Sequence, residues 1–399
     1  MRILLATYWC LPHVGGVSTY VYALRRELAQ RGHEVDILAH YPDMKRYYMP
    51  NNGRRLEKAK VKDYINEKLS GYYAEQFPKL ENWIRWREVE RYCYEAAAAV
   101  FCLTKYDLIH TQDIISTRAL WRVKPKHVPL IATIHGCLAT EYRLSGEIRD
   151  RHTIRWRYAA ASEYYGATSS DMTIVPTTWL KELLANDFRV PREHLQLIRY
   201  GMDVDAFVRR MEKPSKIVKP PGKKVMICPA RLVPVKGHEH LLRALAKLKE
   251  DRVDWVCWLV GDGPLRQRLE HQARRRELTD HVWFLGNRDD VPALLRQADV
   301  FVLPSVQDNL PYAVIEAQIA GVPVVVSDAG GIPEMVVHGQ TGLVSPAGDS
   351  SALYSSLKRV LADGAYRAAL AAAARQHASE RWSLRNMVDD TLEMYRKYV

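Results

Sequence analysis

The sequence lacks several features that would assign it quickly to a class. None of its apolar runs approaches the roughly 18 residues of a membrane-spanning helix. Its six cysteines include no Cys-x-x-Cys pair, which argues against a zinc or redox motif. It contains neither a Gly-x-Gly-x-x-Gly fingerprint nor a Walker loop. The opening residues, MRILLATYWCLP, turn polar too early for a secretory signal and are more typical of a buried strand. These absences favour a soluble protein of the reducing cytoplasm.

The composition is that of an ordinary globular chain with an excess of positive charge. The 399 residues are 47% hydrophobic and 26% charged, and this length suggests two domains. The net charge is +12, and part of it is concentrated in the basic stretch Lys45–Lys62. Such a stretch attracts anionic lipid, nucleic acid or acidic glycan, and a solvated loop explains it equally well.

Apolar strands alternate with amphipathic helices along most of the chain. The strands predicted in the first half are RILLAT, EVDILAH, DLIHT, VPLIATIHG, MTIVPT and LQLIRYG. Those predicted in the second half are KVMICPA, DWVCWLVGDG, HVWFLG, DVFVLPS and VPVVVSD. This alternation predicts parallel sheets covered by helices on both faces. We therefore predict an α/β protein with two Rossmann-like, doubly wound domains that face a cleft.

Breaks in this rhythm give the domain boundaries. The first domain is predicted at residues 1–205, with a basic and aromatic insertion at about 41–105 that we expect to be helical. A linker rich in proline and lysine follows at 206–222, and the second domain covers 223–381. The chain ends in one more amphipathic helix at about 382–399. Ligands of such domains bind beyond the carboxyl ends of the strands, so the strand-to-helix loops should carry the chemistry.

One loop of the second domain carries two cations. In PARLVPVKGHEHLL, Arg231 and Lys236 follow a strand and precede a helix. Two cations beside a helix N-terminus predict a diphosphate site, and a solvated loop is the alternative. Gly263, in the Gly-Asp-Gly-Pro turn after the next strand, either approaches a nucleotide or serves the turn alone.

The stretch PSVQDNLPYAVIEA places two acids around a helix start. Its second proline suits the first helical turn, so Asp308 lies in a loop and Glu316 lies about one and a half turns inside the helix. The amides near Asn309 and Leu310 should face a ligand. Asp308 could accept hydrogen bonds from sugar hydroxyls, and the Glu316 carboxylate could accept a pair from a ribose diol.

The first domain contributes two shorter signals. Gly15 and Gly16 precede a helix, where glycine lets the backbone approach an anionic ligand, although an ordinary turn is also possible. His135 follows a buried strand and precedes Gly136, so its ring is expected to point towards the ligand. A histidine with a structural role is the alternative.

Taken together, these motifs resemble one family. The two cations, the Gly-Asp-Gly-Pro turn, the acid pair and the segment EAQIAGVPVVVSDAGGIPEMVVHGQTGLV are similar in order to the retaining GT-B glycosyltransferases of group 1, also called family four. The resemblance is strong over 223–345, fair over 1–40 and 128–205, and poor over 41–105. In these enzymes a C-terminal helix like that at 382–399 crosses back onto the first domain.

The resemblance implies a role for each matching residue. Gly16 would present its amide to the donor phosphate, and His135 would contact the donor sugar. Arg231 and Lys236 would hold the diphosphate as it leaves. Asp308 would bind the hydroxyls of the transferred sugar, and Glu316 would bind the ribose.

The sequence departs from the family pattern at the first acid. The family usually has glutamate followed by Gly-Phe-Gly, whereas this chain has Asp308 followed by Asn-Leu-Pro. The shorter acid changes its reach and leaves the donor sugar open.

The implied reaction moves a sugar from a nucleoside diphosphate sugar, with UDP expected, to an acceptor hydroxyl with retention of configuration. Polysaccharide, glycolipid and glycosylated metabolite synthesis all fit. No cofactor or metal is expected, because Arg231 and Lys236 supply the positive charge and Asp203-Val204-Asp205 matches the stretch between the domains. The expected partners are the donor and an unknown acceptor, with no nucleic acid. Trp83 and Trp86 of the insertion are expected to be core, with peripheral contact at the inner face of the membrane as the alternative.

Two other functions remain open from the sequence. A nucleotide-sugar 2-epimerase has the same type of fold and would release a free or isomerised sugar. A basic binding protein without catalysis would bind nucleic acid or acidic glycan in a salt-sensitive way. A dehydrogenase is disfavoured, because no acid follows the second strand in the place that a dinucleotide requires.

Overall fold

The computed structural model describes residues 1–13 and 15–399. The chain divides into two compact units. The first unit comprises Met1–Arg199 and Arg385–Val399, and the second comprises Tyr200–Leu384. Each unit is an α/β structure built on its own sheet.

The first unit has an eight-stranded sheet. Its strands are β1 (Arg2–Cys10), β2 (Glu34–His40), β3 (Arg46–Tyr48), β4 (Arg55–Glu57), β5 (Leu108–Thr111), β6 (Leu130–Thr133), β7 (Met172–Val175) and β8 (Leu195–Leu197). The order across the sheet is β4-β3-β2-β1-β5-β6-β7-β8, and only the pairs β2–β3 and β3–β4 are antiparallel. The strand order reverses between β1 and β5, and ligands of doubly wound sheets bind beyond such a reversal.

Helices cover both faces of this sheet. They are α1 (Gly16–Gln30), α2 (Ala59–Gln76), α3 (Asn82–Val100), α4 (Ile114–Val123), α5 (Leu138–Leu144), α6 (Ile154–Thr168) and α7 (Thr178–Phe188), with 3₁₀ turns at Leu103–Lys105 and Arg192–His194. Two clusters of buried apolar side chains lie in this unit, one beneath α3 and α4 and one beneath α5, α6 and α7.

The insertion differs from the helical segment that we expected. It begins with the antiparallel strands β3 and β4, which turn at Gly53 with a φ of 71° that favours glycine. Helices α2 and α3 follow. Tyr47, Cys93 and Tyr94 are fully buried in the core of the first unit. The insertion is therefore partly strand, and two of its aromatic residues, Tyr47 and Tyr94, belong to the core of the first unit.

The second unit has a six-stranded, fully parallel sheet. Its strands are β9 (Lys224–Pro229), β10 (Trp255–Val260), β11 (Val282–Gly286), β12 (Val300–Leu303), β13 (Val324–Ser327) and β14 (Gly342–Ser345). The order is β11-β10-β9-β12-β13-β14, so the reversal falls between β9 and β12. Strand β14 is absent from the sequence prediction. It pairs with β13. Glycine at position 342 permits this close pairing, because a Cβ there would lie only 2.6 Å from the carbonyl oxygen of Val324 and would clash with it.

The helices of the second unit lie on both sides of its sheet. They are α8 (Val204–Met211), α9 (His238–Asp251), α10 (Arg266–Arg275), α11 (Val291–Leu295), α12 (Tyr312–Ile319), α13 (Ser350–Ala362) and α14 (Gly364–Arg381), with 3₁₀ turns at Pro234–Lys236 and Ile332–Glu334. The last helix is α15 (Leu384–Arg396), and all but its first residue belongs to the first unit together with the three residues that follow it.

The segment predicted as a linker is more ordered than its composition suggests. Its first half lies in α8, which buries Phe207. Its second half is held to the second unit, because Ser215 donates a 2.7 Å hydrogen bond to Asp290 and the amide of Lys219 donates one of 3.0 Å to Gln297. Such side-chain contacts leave no periodic pattern in the sequence, and for this reason the sequence indicated a linker.

Within residues 1–13 and 15–399, none of the helices is long and apolar enough to cross a membrane.

Candidate functional site

Two loops of the second unit lie on either side of its strand reversal. The loop after β9 ends in a 3₁₀ turn that carries Lys236, and the loop after β12 carries Asp308. The ammonium of Lys236 donates a hydrogen bond to Oδ2 of Asp308 and forms an ion pair with it. The two side chains are 16% and 13% exposed, so both are partly accessible to a ligand. The sequence-predicted cation and the first acid are thus in direct contact.

Glycines bring these loops together. Gly237 has a φ of 68°, and a Cβ added there would lie 1.9 Å from the carbonyl oxygen of Pro304. Gly330, in the loop after β13, has a φ of 61°, and an added Cβ would lie 1.8 Å from the carbonyl oxygen of Asp308. Neither position tolerates another residue without backbone movement. Three loops therefore interlock around Lys236 and Asp308.

Further donors surround the Asp308 carboxylate. Oδ2 also accepts a 3.1 Å hydrogen bond from the hydroxyl of Ser305, and Oδ1 accepts one of 3.2 Å from the amide of Asn309. The carboxylate that we expected to bind sugar hydroxyls thus already accepts three hydrogen bonds from the protein. Its predicted role towards the sugar stays a prediction.

Arg231 lies in the loop after β9, and Gly263, from the turn after β10, packs against this loop. Arg231 is exposed, and its guanidinium makes no ion pair with any described residue. Gly263 lies against this loop, because an added Cβ would be 2.6 Å from the carbonyl oxygen of Leu232. The close packing of these two backbone segments therefore explains why position 263 is a glycine.

Helix α12 begins one residue later than expected, with Pro311 as its N-cap. The side chains of Asn309 and Leu310 are buried, and the amide of Asn309 donates to Asp308. Tyr312 stacks on Tyr200 with ring centroids 5.1 Å apart. This stacking fixes the first turn of α12, the end at which a helix favours an anion.

Glu316 lies half-buried on α12. Burial raises the pKa of its carboxyl to about 7, although the nearby charge of Arg210 lowers it. No group among the described residues donates a hydrogen bond to this carboxylate. It is thus a partly accessible acceptor whose ionisation changes near neutral pH.

The first unit holds the other three predicted residues. Gly15 is the N-cap of α1, and Gly16 is its first residue. No side chain caps this helix, so its first amides are not satisfied by a capping residue. Val14, the residue before Gly15 in the sequence, lies outside the described residues. The start of α1 has the features of an anion-binding helix end.

His135 lies in the turn after β6 and contacts α1. Its ring packs edge-on against Tyr20, with centroids 4.9 Å apart. Tyr20 lies one turn along α1 from Gly16, so the helix start and His135 share one side of the sheet. Nε2 of His135 lies 3.1 Å from Oε1 of Gln112. Burial lowers the pKa of His135 to about 3, so the ring is a neutral hydrogen-bonding group at working pH.

Two buried polar residues support the turn with His135. Nε2 of His110 lies 2.7 Å from Oγ1 of Thr133, the last residue of β6 before the turn. Glu163 of α6 accepts a 2.9 Å hydrogen bond from the amide of Ala139 at the start of α5. Burial raises the pKa of this carboxyl to about 7. The turn with His135 is therefore supported by neighbouring strands and helices.

Asp203 has a structural role. It is the N-cap of α8, and its carboxylate accepts a 2.9 Å hydrogen bond from the amide of Ala206. The Asp203-Val204-Asp205 sequence thus begins a helix.

Four contributors escaped the sequence analysis: Gln112, Glu163, Arg210 and Ser305. Gln112 and Ser305 closely follow β5 and β12, so their position at strand ends beside the reversals was an available signal. Arg210 fell within the segment taken as a linker, and Glu163 acts from a helix distant in sequence.

Comparison with known proteins gives the family. The model for glycosyl transferases group 1 matches residues 209–377, and the model for glycosyltransferase family 4 matches residues 14–206. The chain belongs to the group 1 glycosyl transferases. Its matched segments follow the two-part organisation of the structure.

Individual relatives of this group 1 chain agree with the family. A glycosyltransferase of Methanocaldococcus jannaschii is 27% identical over 409 residues, covering 99% of this chain and 98% of the relative. A GDP-mannose-dependent alpha-(1-6)-phosphatidylinositol monomannoside mannosyltransferase of Mycolicibacterium smegmatis is 34% identical over 196 residues, covering 47% of this chain and 50% of the relative.

A solved structure confirms the predicted fold. Sucrose-phosphate synthase from Thermosynechococcus elongatus aligns with a TM-score of 0.73 at 21% identity, covering 100% of this chain and 98% of that one. The fold is therefore GT-B, with two parallel-sheet α/β domains.

Proposed function

We propose that this protein transfers a sugar from a nucleoside diphosphate sugar to an acceptor hydroxyl with retention of anomeric configuration. The observation that carries the proposal is the meeting of Lys236, the amide of Asn309 and the start of α12 at the strand reversal of the second unit. An ammonium beside helix-end amides is suited to a diphosphate. Membership of the group 1 family supports a transferase.

In the proposed reaction the bond from the anomeric carbon to the diphosphate breaks, and a bond to the acceptor oxygen forms on the same face. The acceptor proton passes to the leaving diphosphate. Lys236 and the exposed Arg231 stabilise the negative charge that develops on the leaving group. Glu316 accepts hydrogen bonds from the ribose. In the first unit the amide of Gly16 faces a donor phosphate, and neutral His135 binds the sugar near its reacting carbon.

The base of the donor is also part of the proposal. UDP is the nucleotide expected from the sequence resemblance. The Mycolicibacterium relative is named for GDP-mannose, so GDP is the alternative that any experiment must include.

The acceptor is proposed to bind the first unit as part of a polysaccharide, a glycolipid or a glycosylated metabolite. Trp83 and Trp86 were both expected in the core, and this expectation is wrong for Trp86, whose side chain faces solvent. Trp83 packs against Tyr142 at 5.3 Å and donates a 2.9 Å hydrogen bond to Glu147, whereas Trp86 is 54% exposed. Peripheral contact with anionic lipid thus depends on Trp86 and the basic stretch. Cosedimentation with anionic vesicles at low salt, lost in Trp86→Ala, is its test.

A transfer assay tests the reaction. Labelled UDP- and GDP-sugars are incubated with a panel of hydroxyl acceptors, and the anomeric configuration of the product is read from proton coupling by NMR. A product that keeps the donor's configuration supports the proposal. An inverted product contradicts retention. A free or isomerised sugar formed without any acceptor supports the epimerase instead.

A further inference from the structure

We propose that Asp308 competes with the donor's diphosphate for Lys236, so that the donor binds by displacing this carboxylate. The inference rests on the proposed function, because it takes the loops after β9 and β12 as the diphosphate site. The observation behind it is that Asp308 already accepts hydrogen bonds from Lys236, from Ser305 and from the amide of Asn309.

These three donors are a set that also suits phosphate. Proteins hold phosphate oxygens with ammonium groups, hydroxyls and the amides of helix starts. Asn309 lies two residues before Pro311, the N-cap of α12, and contributes a backbone amide, and Lys236 contributes the ammonium. The Lys236 ammonium has three N–H donors, of which Asp308 takes one. The Asp308 carboxylate thus accepts from the Ser305 hydroxyl, from the Asn309 amide and from one of the Lys236 N–H groups, all of which a phosphate oxygen could otherwise use.

The backbone around Asp308 leaves only its side chain free to yield. The amide of Gly331 donates a 3.1 Å hydrogen bond to the carbonyl oxygen of Asp308, and Gly330 packs on the same carbonyl. On the other side, the amide of Val306 donates a 2.8 Å hydrogen bond to the carbonyl oxygen of Val235, next to Lys236. Because both loops are fixed, the carboxylate and the ammonium separate by side-chain rotation, and rotation of the short Asp308 side chain leaves the Lys236 ammonium in place for the diphosphate.

Displacement has two consequences for the reaction. Lys236 becomes available to the diphosphate, and the carboxylate of Asp308 becomes available to the hydroxyls of the sugar. After transfer, the return of Asp308 to Lys236 helps the nucleoside diphosphate product to leave. Removing the charge should therefore tighten product binding while it slows turnover.

Isothermal titration with UDP and GDP, without any sugar, tests the competition. The variant Asp308→Asn should bind the nucleotide that the wild type prefers about tenfold more tightly, a factor that corresponds to about 1.4 kcal/mol. Its kcat should fall. Asp251→Asn is the matched control, since it also removes a carboxylate beside a lysine (Lys358, at 2.9 Å) and lies at the far end of α9. The control should leave nucleotide affinity unchanged.

The same substitution in a Lys236→Met background separates competition from simple repulsion. The gain should shrink to less than about threefold there, because the competed ammonium is gone. An equal gain in both backgrounds would show that Asp308 merely repels the diphosphate, and it would overturn the inference. If Asp308→Asn does not fold, Asp308→Ala serves as the second variant.

The failure of this inference differs from that of the proposed function. Wild-type binding with unchanged or weaker binding by Asp308→Asn overturns the competition alone. No nucleotide binding by the wild type or by either variant overturns both.

Discussion

The hydroxyl of Tyr395 in α15 lies 2.6 Å from Nδ1 of His110 at the end of β5. Both residues are fully buried, and burial lowers the pKa of His110 to about 3, so the ring stays neutral. Its other nitrogen bonds Thr133. The C-terminal residues are thus tied to the strand ends that support the turn with His135.

Removal of the Tyr395 hydroxyl should destabilise the first unit. We expect Tyr395→Phe to lower the free energy of unfolding by about 1–3 kcal/mol, because a buried imidazole nitrogen loses its partner. Urea unfolding followed by circular dichroism measures this change. Tyr398→Phe, in the last residues of the chain, is the control and should stay within about 0.5 kcal/mol of the wild type. Equal effects of the two variants would contradict the account.

A buried ion pair should hold the insertion to the sheet. Glu90 of α3 pairs with Lys58 and accepts a 2.9 Å hydrogen bond from Tyr8 of β1. Glu90→Gln should lower the free energy of unfolding by about 3 kcal/mol, because Lys58 is left without a counter-charge. The control Glu81→Gln, which breaks a more exposed pair with Arg155, should change it by less than about 1 kcal/mol.

The same pair predicts a loss of stability in acid. Burial raises the pKa of Glu90, but the hydrogen bond and charge of Lys58 hold it below its ordinary value. A lowered folded-state pKa gives stability that is complete above the unfolded pKa and is lost as the pH falls through the folded one. Glu90→Gln should therefore flatten this part of the stability profile. A wild-type and a variant profile of equal slope below pH 4.5 would contradict this assignment.

Donor binding should depend on pH through Glu316. Because burial raises its pKa to about 7, the carboxylate is only partly ionised at neutral pH. An ionised carboxylate is the stronger acceptor for a ribose diol, so donor affinity should rise as the pH increases from about 6 to about 8. Titration of the donor at each pH measures this, and Glu316→Gln should make the affinity nearly independent of pH.

His135 of the first unit provides a control for this pH dependence. His135 is neutral above a pKa of about 3, so it does not titrate in the same window. His135→Gln should weaken donor binding yet keep the rise with pH. If donor affinity no longer rose with pH in His135→Gln but still rose in Glu316→Gln, the pH dependence would belong to His135 and not to Glu316.

Transfer should proceed without a divalent metal. Lys236 and Arg231 supply positive charge to the diphosphate, and Asp203 is engaged as a helix cap. We expect initial rates in EDTA to match those with magnesium or manganese within about twofold. Complete loss of activity in EDTA, restored by either metal, would refute this prediction.

The periodic parts of the fold were predictable from sequence, and the irregular parts were not. The apolar runs of the buried parallel strands, such as β1 and β9, carry their own signal. The strands β3 (RYY), β4 (RLE) and β14 (GLVS) do not, because none of them is a continuous apolar run and each depends on its neighbours for pairing. The insertion was also difficult, since Trp83 and Trp86 were both expected in the core, whereas only Trp83 packs there and Trp86 is exposed.

The site was predictable in residue type but not in contact. Position after a strand indicated Lys236, Asp308 and His135. The ion pair between Lys236 and Asp308 was not predictable, because it depends on two loops brought together by Gly237 and Gly330. The raised pKa of Glu316 likewise follows from its burial in the folded chain, which its position after a strand does not indicate.

A thermal-shift panel tests the central claim, that the loops after β9 and β12 bind the diphosphate of a sugar donor. UDP-, GDP-, ADP- and dTDP-sugars are added in EDTA to the wild type, to Lys236→Ala and to Lys247→Ala. The last variant removes an exposed lysine of α9 and serves as the charge-matched control. The account predicts stabilisation of the wild type and the control by one nucleotide class, with affinity at least about tenfold weaker in Lys236→Ala. An equal shift in all three proteins, or none in any, would contradict it.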